Sequence, residues 1–388
     1  MSSEAYLKRG VSPTKDDVHA AIAKQAKGLY PGAFCKIIED IAGDNKWCSV
    51  LHADGAGTKS IIAYLYYKET GDASVFKGIA QDSLVMNIDD MLCVGVTDNF
   101  IISNTIGRNA HRIGKEILKE IIDGYGEVID MLKSHGINAV MAGGETADIG
   151  DLVSTVVADS TVVARLPREK VINCDNISAG DVIVGLASFG QATYEKSFNS
   201  GMASNGLTAA RHSLLSGEYK KYKETYSSTI EDKLVYCGKY KLTDKLPGST
   251  QTVGQAILSP TRTFLPVVKE ILAEESASIS ALIHCTGGGA GKSKNFGKGV
   301  TYIKDNLFEP PAIFKAIQDS GNIPWKEMFQ IFNMGARLEI YCKKDAVDRI
   351  IKISEKFKIP AQIIGRVEKS ADGKNKVFVS FNGETFEY

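Results

Sequence analysis

The sequence places a carboxylate, two glycines, a hydroxyl and an amine within six residues, at Asp54, Gly55, Gly57, Thr58 and Lys59. Glycines allow backbone N–H groups to approach an anion without a Cβ in the way. Lysine adds a compact positive charge, and aspartate can hold a magnesium ion that bridges phosphate oxygens. The pattern favours a phosphate-binding loop, and the alternative is a tight turn between a strand and a helix.

Three more carboxylates follow at Asp82, Asp89 and Asp90. On a helix, Asp82 and Asp89 share a face, and Asp90 is rotated from that face by about 100°. A solvated acidic face is the usual explanation for such a cluster. The residues around these carboxylates are mostly apolar, however, and carboxylates on a largely apolar helix need a partner such as a metal ion.

Two short motifs combine polar side chains with glycine beside predicted elements. The first, at residues 143–146, follows a predicted strand. The second, Asn205-Gly206, precedes a predicted helix, where a phosphate can bind at the helix N-terminus. Each suits ligand binding, although a simple turn explains each of them nearly as well. The residues are Gly143, Gly144, Glu145, Thr146, Asn205 and Gly206.

His284 lies two residues before a threonine that is followed by three glycines. The first residues of that run are Thr286, Gly287 and Gly288. A lone histidine is more often a structural residue. Beside a glycine loop that can accept an anion, it is also a candidate acid–base group.

The same glycines open a run that ends in Lys292-Ser293 and looks like a nucleotide-binding P-loop. That motif requires a glycine where this chain has Thr286. We therefore interpret the run as a near miss, which leaves phosphate binding by another scaffold open.

The chain has 388 residues, with 46 basic and 46 acidic side chains, and its formal net charge is zero. Without a basic surplus, we predict binding neither to nucleic acid nor to a membrane surface. The longest apolar run, Ile61 to Tyr67, is far shorter than the ~20 residues that span a bilayer. We see no signal peptide. The seven cysteines form no C-x-x-C pair, and an odd number cannot all pair within the chain, which predicts reduced thiols and a cytoplasmic location.

Hydrophobic periodicity predicts interspersed helices and strands. In the first part of the chain, the predicted helices cover residues 16–27, 60–70, 78–94 and 113–132, and the predicted strands cover 48–53, 99–106, 137–142 and 152–166. The pattern restarts near residues 167–180, which predicts a first domain at 1–168 and a second at 169–388. Such a mixture is typical of an α/β or α+β protein with helices on one face of a sheet.

In the second domain we predict strands at 181–187 and 279–283 and helices at 206–215 and 260–275. Residues 216–250 contain many tyrosines, lysines, serines and threonines with little periodicity. This composition predicts an exposed insertion.

Taken in order along the chain, these motifs resemble those of the phosphoribosylformylglycinamidine cyclo-ligase family, the aminoimidazole ribonucleotide synthetases of purine biosynthesis. The resemblance includes Ser259–Arg262 and Phe332–Gly335 and runs from about Tyr6 to Val367. It implies a two-domain α/β (α+β) subunit. The N-terminal sheet-plus-helices domains would pair through their strands in a homodimer barrel, and the C-terminal domain would form an α/β sandwich.

The resemblance also implies a reaction. ATP phosphorylates the formyl amide oxygen of formylglycinamidine ribonucleotide, and the amidine nitrogen then closes the ring, releasing ADP and phosphate. The implied catalytic residues are Lys24, Asp90 and His284. The implied binding residues are Asp54, Gly55, Gly57, Thr58, Lys59, Asp82, Gly143, Gly144, Glu145 and Thr146 for ATP, Asp54, Asp82 and Asp90 for Mg²⁺, and Asn205, Gly206, Thr286, Gly287 and Gly288 for the substrate.

Other functions stay open at this point. Selenophosphate synthetase and thiamine-monophosphate kinase share the scaffold, and a non-catalytic nucleotide-binding relative is a third alternative. The first would need a reactive cysteine, and Cys35 follows the short glycine-containing segment at 29–34 only loosely. That segment is shorter than the family pattern, and the loop at 191–203 is longer.

Overall fold

The computed structural model describes residues 4–11, 20–22 and 24–388. Its first sheet is built from strands β1 (Ile37–Glu39), β2 (Trp47–Gly55), β3 (Phe100–Arg108), β4 (Ala139–Asp148) and β5 (Val156–Pro167). The strands lie side by side in the order β1-β2-β5-β3-β4. The β3–β4 pair is parallel and the other neighbours are antiparallel.

Helices cover one face of this sheet. The helices of this part of the chain are α1 (Glu4–Leu7), α2 (Lys59–Thr70), α3 (Phe76–Leu92) and α4 (Lys115–Ser134). The predicted apolar stripe of α4 is confirmed, since Ile117, Ile121, Val128 and Leu132 are buried. Helix α3 is buried along almost its whole length because it lies between the sheet, α4 and the second part of the chain.

The second sheet has seven strands in the order β14-β13-β10-β12-β6-β11-β9. Its strands are β6 (Val182–Ala187), β9 (Ile279–His284), β10 (Val300–Lys304), β11 (Ala336–Cys342), β12 (Ala361–Lys369), β13 (Lys376–Phe381) and β14 (Glu384–Glu387), and β7 (Phe189–Gly190) and β8 (Asn199–Ser200) form a separate ribbon. The accompanying helices are α5 (Leu207–Leu214), α6 (Val253–Ile257), α7 (Leu265–Glu275), α8 (Ala312–Gly321), α9 (Trp325–Ile331) and α10 (Val347–Lys356). The predicted mixed α/β class is confirmed.

The prediction that Gly143–Thr146 form a loop after a strand is wrong. These residues lie inside β4, because its pairing with β3 continues to Asp148. The register shifts between Ile102 and Ser103, opposite the point where Gly143 adopts φ +138°. A glycine there lets the strand continue through the irregularity.

The predicted insertion at 216–250 is exposed over much of its length, but a few buried side chains anchor it. Tyr219, Tyr236 and Leu242 are buried within it. The rings of Tyr219 and Tyr226 pack on Tyr236, which in turn packs on His212 of α5. Aromatic contacts rather than periodic helices or strands hold this segment in place. Hydrophobic periodicity therefore could not reveal its buried side chains.

Residues 16–19 and 23 of the predicted helix at 16–27 lie outside the described residues. Residues 20–22 are helical, and Lys24 lies in the turn that follows. The predicted helix at 260–275 begins only at Leu265, so Ser259–Phe264 are free to line the site described below. Within the described ranges, every helix is too short or too polar to cross a membrane.

Candidate active site

Helix α3 holds Asp90 between two histidines from different strands. His284, the last residue of β9, brings Nδ1 to 2.6 Å from Asp90 Oδ1. His52 of β2 brings Nε2 to 3.3 Å from Asp90 Oδ2. Burial by itself would raise the pKa of Asp90, but the hydrogen bonds from His284 and His52 outweigh it and hold that pKa well below its usual range. Asp90 is therefore ionised.

His284 is fully buried, and both of its ring nitrogens are engaged. Arg337 of β11 donates to Nε2, so Nδ1 carries the proton that is donated to Asp90. Burial, followed by the nearby charge of Arg337, lowers the pKa of His284 to about 4. A neutral imidazole with both nitrogens occupied orients Asp90 and has no free nitrogen for a substrate proton. This geometry does not favour the predicted proton-transfer role.

His52 was missed by the sequence analysis. Its Nδ1 lies 2.9 Å from Asn87 Oδ1, and its side chain is 20% exposed. Burial lowers its pKa, but the hydrogen bond to Asp90 and the charge of Asp90 outweigh burial, and the pKa is raised overall. Two-residue alternation along β2 could have found it, because His52 shares a strand face with Asp54.

Lys292 is a cation at this site that was dismissed with the P-loop-like run. It lies on the irregular turn Gly289–Asn295, where Nζ donates to Thr286 Oγ1 over 2.6 Å. The ammonium also lies 4.5 Å from the centre of the Phe34 ring. In the part of the chain that the structure describes, no carboxylate comes within ion-pairing distance of Lys292. A lysine in this arrangement suits contact with an anionic ligand.

Lys59 and Asp82 form a separate, fully buried pair. Lys59 Nζ lies 2.9 Å from Asp82 Oδ1 and donates to the Ser259 carbonyl over 2.6 Å. Asp82 Oδ1 also accepts from the backbone N–H and the hydroxyl of Thr261. Both charged side chains are fully inaccessible to solvent. Here Lys59 fastens α2 and α3 to the second part of the chain, and its ammonium is already hydrogen-bonded to Asp82 and Ser259.

The three aspartates predicted to share a metal ion are not brought together. Asp82 is held by Lys59 and Asp90 by two histidines. Across residues 4–11, 20–22 and 24–388, no group of three or more histidine, cysteine, aspartate or glutamate side chains could hold a metal ion. This geometry does not support one ligand set of Asp54, Asp82 and Asp90.

A pair of carboxylates at the ends of β2 and β5 fits a divalent cation better. Asp159 is paired with Gly55 across the sheet, next to Asp54. Burial, followed by the charge of Asp54, raises the pKa of Asp159. Mg²⁺ is commonly bound by one or two carboxylates together with substrate phosphates. In the same row across the sheet, Thr105 of β3 lies opposite Asp159 of β5 on one side and Glu145 of β4 on the other. Glu145 belongs to the predicted ATP motif.

The loop before α5 meets the loop before α2. Thr58 Oγ1 lies 3.1 Å from Thr208 Oγ1 in the first turn of α5. Gly206 has φ +83°, and a Cβ there would lie 2.2 Å from the Phe332 ring, so the position requires glycine. Ser204 Oγ lies 2.8 Å from Thr261 Oγ1. The predicted substrate residue Asn205 therefore lies between two anchored neighbours.

Thr286, Gly287 and Gly288 form the turn between His284 and Lys292, and Gly288 has φ +97°. Lys24 is exposed. Among the described residues, Lys24 has no hydrogen-bond or ion-pair partner. Its predicted catalytic role stays a prediction.

Comparison with known proteins gives the family. Residues 33–166 match the N-terminal domain of AIR synthase related proteins, and residues 178–377 match the C-terminal domain. A Methanocaldococcus jannaschii protein named phosphoribosylformylglycinamidine cyclo-ligase is 34% identical over 324 residues, which is 83% of this chain and 79% of that protein. A Methanococcus vannielii protein of the same name is 34% identical over 363 residues, which is 92% of this chain and 88% of that protein.

Solved structures agree on the fold. A structure titled as the HypE–HypF complex aligns with a TM-score of 0.56 and 14% identity over 96% of this chain and 98% of that chain. A structure of AaThiL complexed with AMPPCP and TMP aligns with a TM-score of 0.55 and 13% identity over 95% and 94% of the two chains. These structures share the architecture with this protein. With two domain matches in order and relatives at 34% identity over most of its length, the chain belongs to the AIR synthase related family and is a member of its phosphoribosylformylglycinamidine cyclo-ligase group.

Proposed function

We propose that this protein is an ATP-dependent cyclo-ligase that converts formylglycinamidine ribonucleotide into aminoimidazole ribonucleotide. The observation that carries the proposal is the match, over 92% of this chain and 88% of the relative, to a protein named for that activity. The arrangement around Asp90 is compatible with it, because Lys292, which has no carboxylate partner among the described residues, lies beside the turn that follows His284.

The chemistry needs a site that handles phosphoryl groups. An amide oxygen leaves poorly, and transfer of the γ-phosphoryl of ATP to the formyl oxygen turns it into phosphate, a good leaving group. The amidine nitrogen then forms the new C–N bond, loses a proton, and the C–O bond to phosphate breaks. The protein must align the phosphoryl with the formyl oxygen and offset its charge.

Residues of the site divide this work in our proposal. Lys292, which donates to Thr286 Oγ1, contacts phosphoryl oxygens. His52 has both ring nitrogens engaged, by Asn87 and by the ionised Asp90, so it positions Asp90, and the proton lost by the amidine nitrogen leaves with the released phosphate. His284 positions Asp90.

Mg²⁺ and ATP are part of the proposal. Bound Mg²⁺ would offset the negative charge of phosphate oxygens. Asp54 and Asp159 would hold it, because they lie side by side across β2 and β5 and Mg²⁺ is commonly bound by one or two carboxylates together with phosphate oxygens. The predicted ATP residues Gly143, Gly144, Glu145 and Thr146 lie on the exposed edge strand β4.

A selenophosphate synthetase-like role is not favoured. It would need a reactive thiolate, and Cys35 is the candidate. Burial, followed by the charge of Asp90, raises the pKa of the Cys35 thiol far above its usual value. Its Sγ lies within hydrogen-bonding distance of the Asp90 carbonyl oxygen, at 3.6 Å. A neutral, partly buried thiol is a poor nucleophile.

The test is ADP release by the purified protein with three candidate substrates in separate reactions. We expect release that depends on formylglycinamidine ribonucleotide and none with selenide or thiamine monophosphate. Release with either of the other two would replace the proposal. Nucleotide binding without ADP release in any reaction would instead identify a non-catalytic relative.

A homodimer is the assembly that the first sheet supports. Its uncovered face carries a row in which Val163 pairs with both Leu51 and Ile101, and Ile101 pairs with Val140. Leu51, Ile101 and Val140 are 58%, 51% and 49% exposed. An apolar row that crosses four strands suits burial against a second copy of this chain.

Ile101→Glu is expected to convert the dimer into a monomer, because it places a charge in the middle of that row. Sedimentation velocity measures the change. The matched control is Ile122→Glu, which changes an equally exposed isoleucine on α4 (52%) away from the row and is expected to leave the dimer intact. A dimer that survives Ile101→Glu would exclude this face as the interface.

The thiols are consistent with the proposed cytoplasmic location. All seven cysteines are free, and five of them are buried: Cys48, Cys93, Cys174, Cys285 and Cys342. Reduced, buried thiols are typical of proteins that work in a reducing compartment.

A further inference from the structure

The second sheet buries an ion pair next to residues 285–292, which join His284 to Lys292 and which we call the site turn. Lys304 Nζ, at the end of β10, lies 2.5 Å from Glu339 Oε1 of β11. Both side chains are almost completely inaccessible to solvent. A buried ion pair is favourable only where further hydrogen bonds satisfy both partners. The other contacts of the two side chains therefore indicate what the pair does.

Each charged group has one more partner. Glu339 Oε2 accepts a hydrogen bond from the Tyr341 hydroxyl over 2.6 Å. Lys304 Nζ donates over 2.7 Å to the backbone carbonyl oxygen of Ala290, which belongs to the site turn. A hydrogen bond from an ammonium to a carbonyl is roughly twice as strong as one between neutral groups. Glu339 thus fixes the ammonium, and the ammonium fixes one peptide group of the turn.

The site turn is also held at its beginning. The backbone N–H of Cys285 donates over 2.6 Å to the carbonyl oxygen of Arg337, which lies on β11 like Glu339. Between Cys285 and Ala290, the N–H groups of Gly287 and Gly288 donate to no other described residue. Three consecutive glycines have little conformational preference of their own. The position of these N–H groups therefore depends on the two contacts at either end.

We propose that Lys304 and Glu339 are positioning residues, which hold the site turn in the place where it binds formylglycinamidine ribonucleotide. This deepens the proposed function and rests on it, because that function supplies the ligand of the turn. Both side chains are buried under the turn and act through the carbonyl oxygen of Ala290. Neither of them touches the substrate.

The variant that tests this role changes both residues together, because removing one charge would leave the other buried and unpaired. Lys304→Met with Glu339→Gln removes the donor to Ala290 and keeps an amide oxygen that can accept from Tyr341. We expect the KM for formylglycinamidine ribonucleotide to rise by about 10–100-fold, since a displacement of about 1 Å in a binding group has a cost of this order. A smaller folded fraction would lower the measured kcat and leave this KM unchanged.

Hydrogen–deuterium exchange of the full chain follows the site turn without turnover. The amides of residues 285–292 are expected to exchange faster in the double variant than in the wild type, because the release of the Ala290 carbonyl oxygen allows the turn to open locally. Exchange and KM together separate the position of the turn from its use in binding.

The matched control removes an ion pair of the same type at the other end of β11. Lys343, the residue after that strand, brings Nζ to 2.6 Å from Oδ1 of the buried Asp181. Lys343→Met with Asp181→Asn should leave the KM and the exchange of residues 285–292 unchanged. If the test variant does not fold, Tyr341→Phe decides in its place, because it removes only the hydroxyl that holds Glu339. We expect Tyr341→Phe to raise the KM by about 2–5-fold, the usual contribution of one hydrogen bond.

Failure of this role and failure of the proposed function give different results. An unchanged KM in the folded variant overturns the proposal, and so does a raised KM with unchanged exchange of the site turn. Absence of ADP release by the wild type with formylglycinamidine ribonucleotide would instead remove the proposed function. In that case exchange decides about the turn alone: faster exchange in the double variant supports the contact through Ala290, and equal exchange overturns it.

Discussion

Lys292→Met is expected to lower kcat for ADP release by about 10²–10³-fold, the usual cost of removing one group that stabilises transition-state charge. The reason is that Lys292 lies beside Thr286, close to the Asp90–His284 pair, with no carboxylate partner among the described residues. Methionine keeps most of the aliphatic length over the Phe34 ring, so the loss measured is that of the charge.

The control for this prediction lies two residues farther along the same turn. Lys294 is exposed, and Lys294→Met removes an equal charge from the same segment. Steady-state kinetics of both variants and a urea unfolding curve of each separate catalysis from folding. If the two variants show the same modest decrease in kcat, or if Lys292→Met loses activity only in proportion to its unfolding, Lys292 does not act on the phosphoryl group.

The sequence was informative wherever local pattern decides structure. The strand predicted at 48–53, the helix predicted at 60–70 and the acidic helix α3 all form as periodicity predicted. The position of Gly206 was also readable, since its glycine is required by a left-handed backbone next to Phe332.

Long-range pairing is what the sequence could not reveal. Lys59 and Asp82 are 23 residues apart, and nothing in their spacing predicts that they form a buried ion pair. Nor does it predict that Asp82 accepts a hydrogen bond from the Thr261 N–H. The same holds for His284. Its sequence context predicts a proton-transfer role, but Arg337, 53 residues later, occupies its second ring nitrogen. In both cases the residue type suggested chemistry, and the partner favours a structural role instead.

A run that fails a motif's pattern can still contain a candidate functional residue. The run that ends at Ser293 lacks one glycine of a P-loop, so the sequence analysis did not assign a role to Lys292. A simpler pattern still indicates Lys292: it is a lysine that follows a glycine-rich turn next to His284. The signal for His52 was strand alternation, which placed it beside Asp54.

Lys59→Ala is expected to destabilise the folded protein by about 3–5 kcal/mol, because it leaves Asp82 as an unpaired charge in the interior. The pair is fully inaccessible to solvent and links α2, α3 and the Ser259–Thr261 segment. The free energy of unfolding from urea titration measures the loss. Lys68→Ala, at an exposed lysine on the same helix, is the control and is expected to change stability by less than about 0.5 kcal/mol.

A double variant separates the ion pair from the lysine alone. Lys59→Met with Asp82→Asn removes both charges while leaving an amide oxygen to accept the Thr261 N–H, so it should be more stable than Lys59→Ala. A phosphate-binding Lys59 predicts a different result: Lys59→Ala would fold as well as the wild type and lose its response to ATP. Since burial removes Lys59 from solvent and Asp82 already uses its charge, we expect the large change in stability, with loss of activity following from the displaced loop.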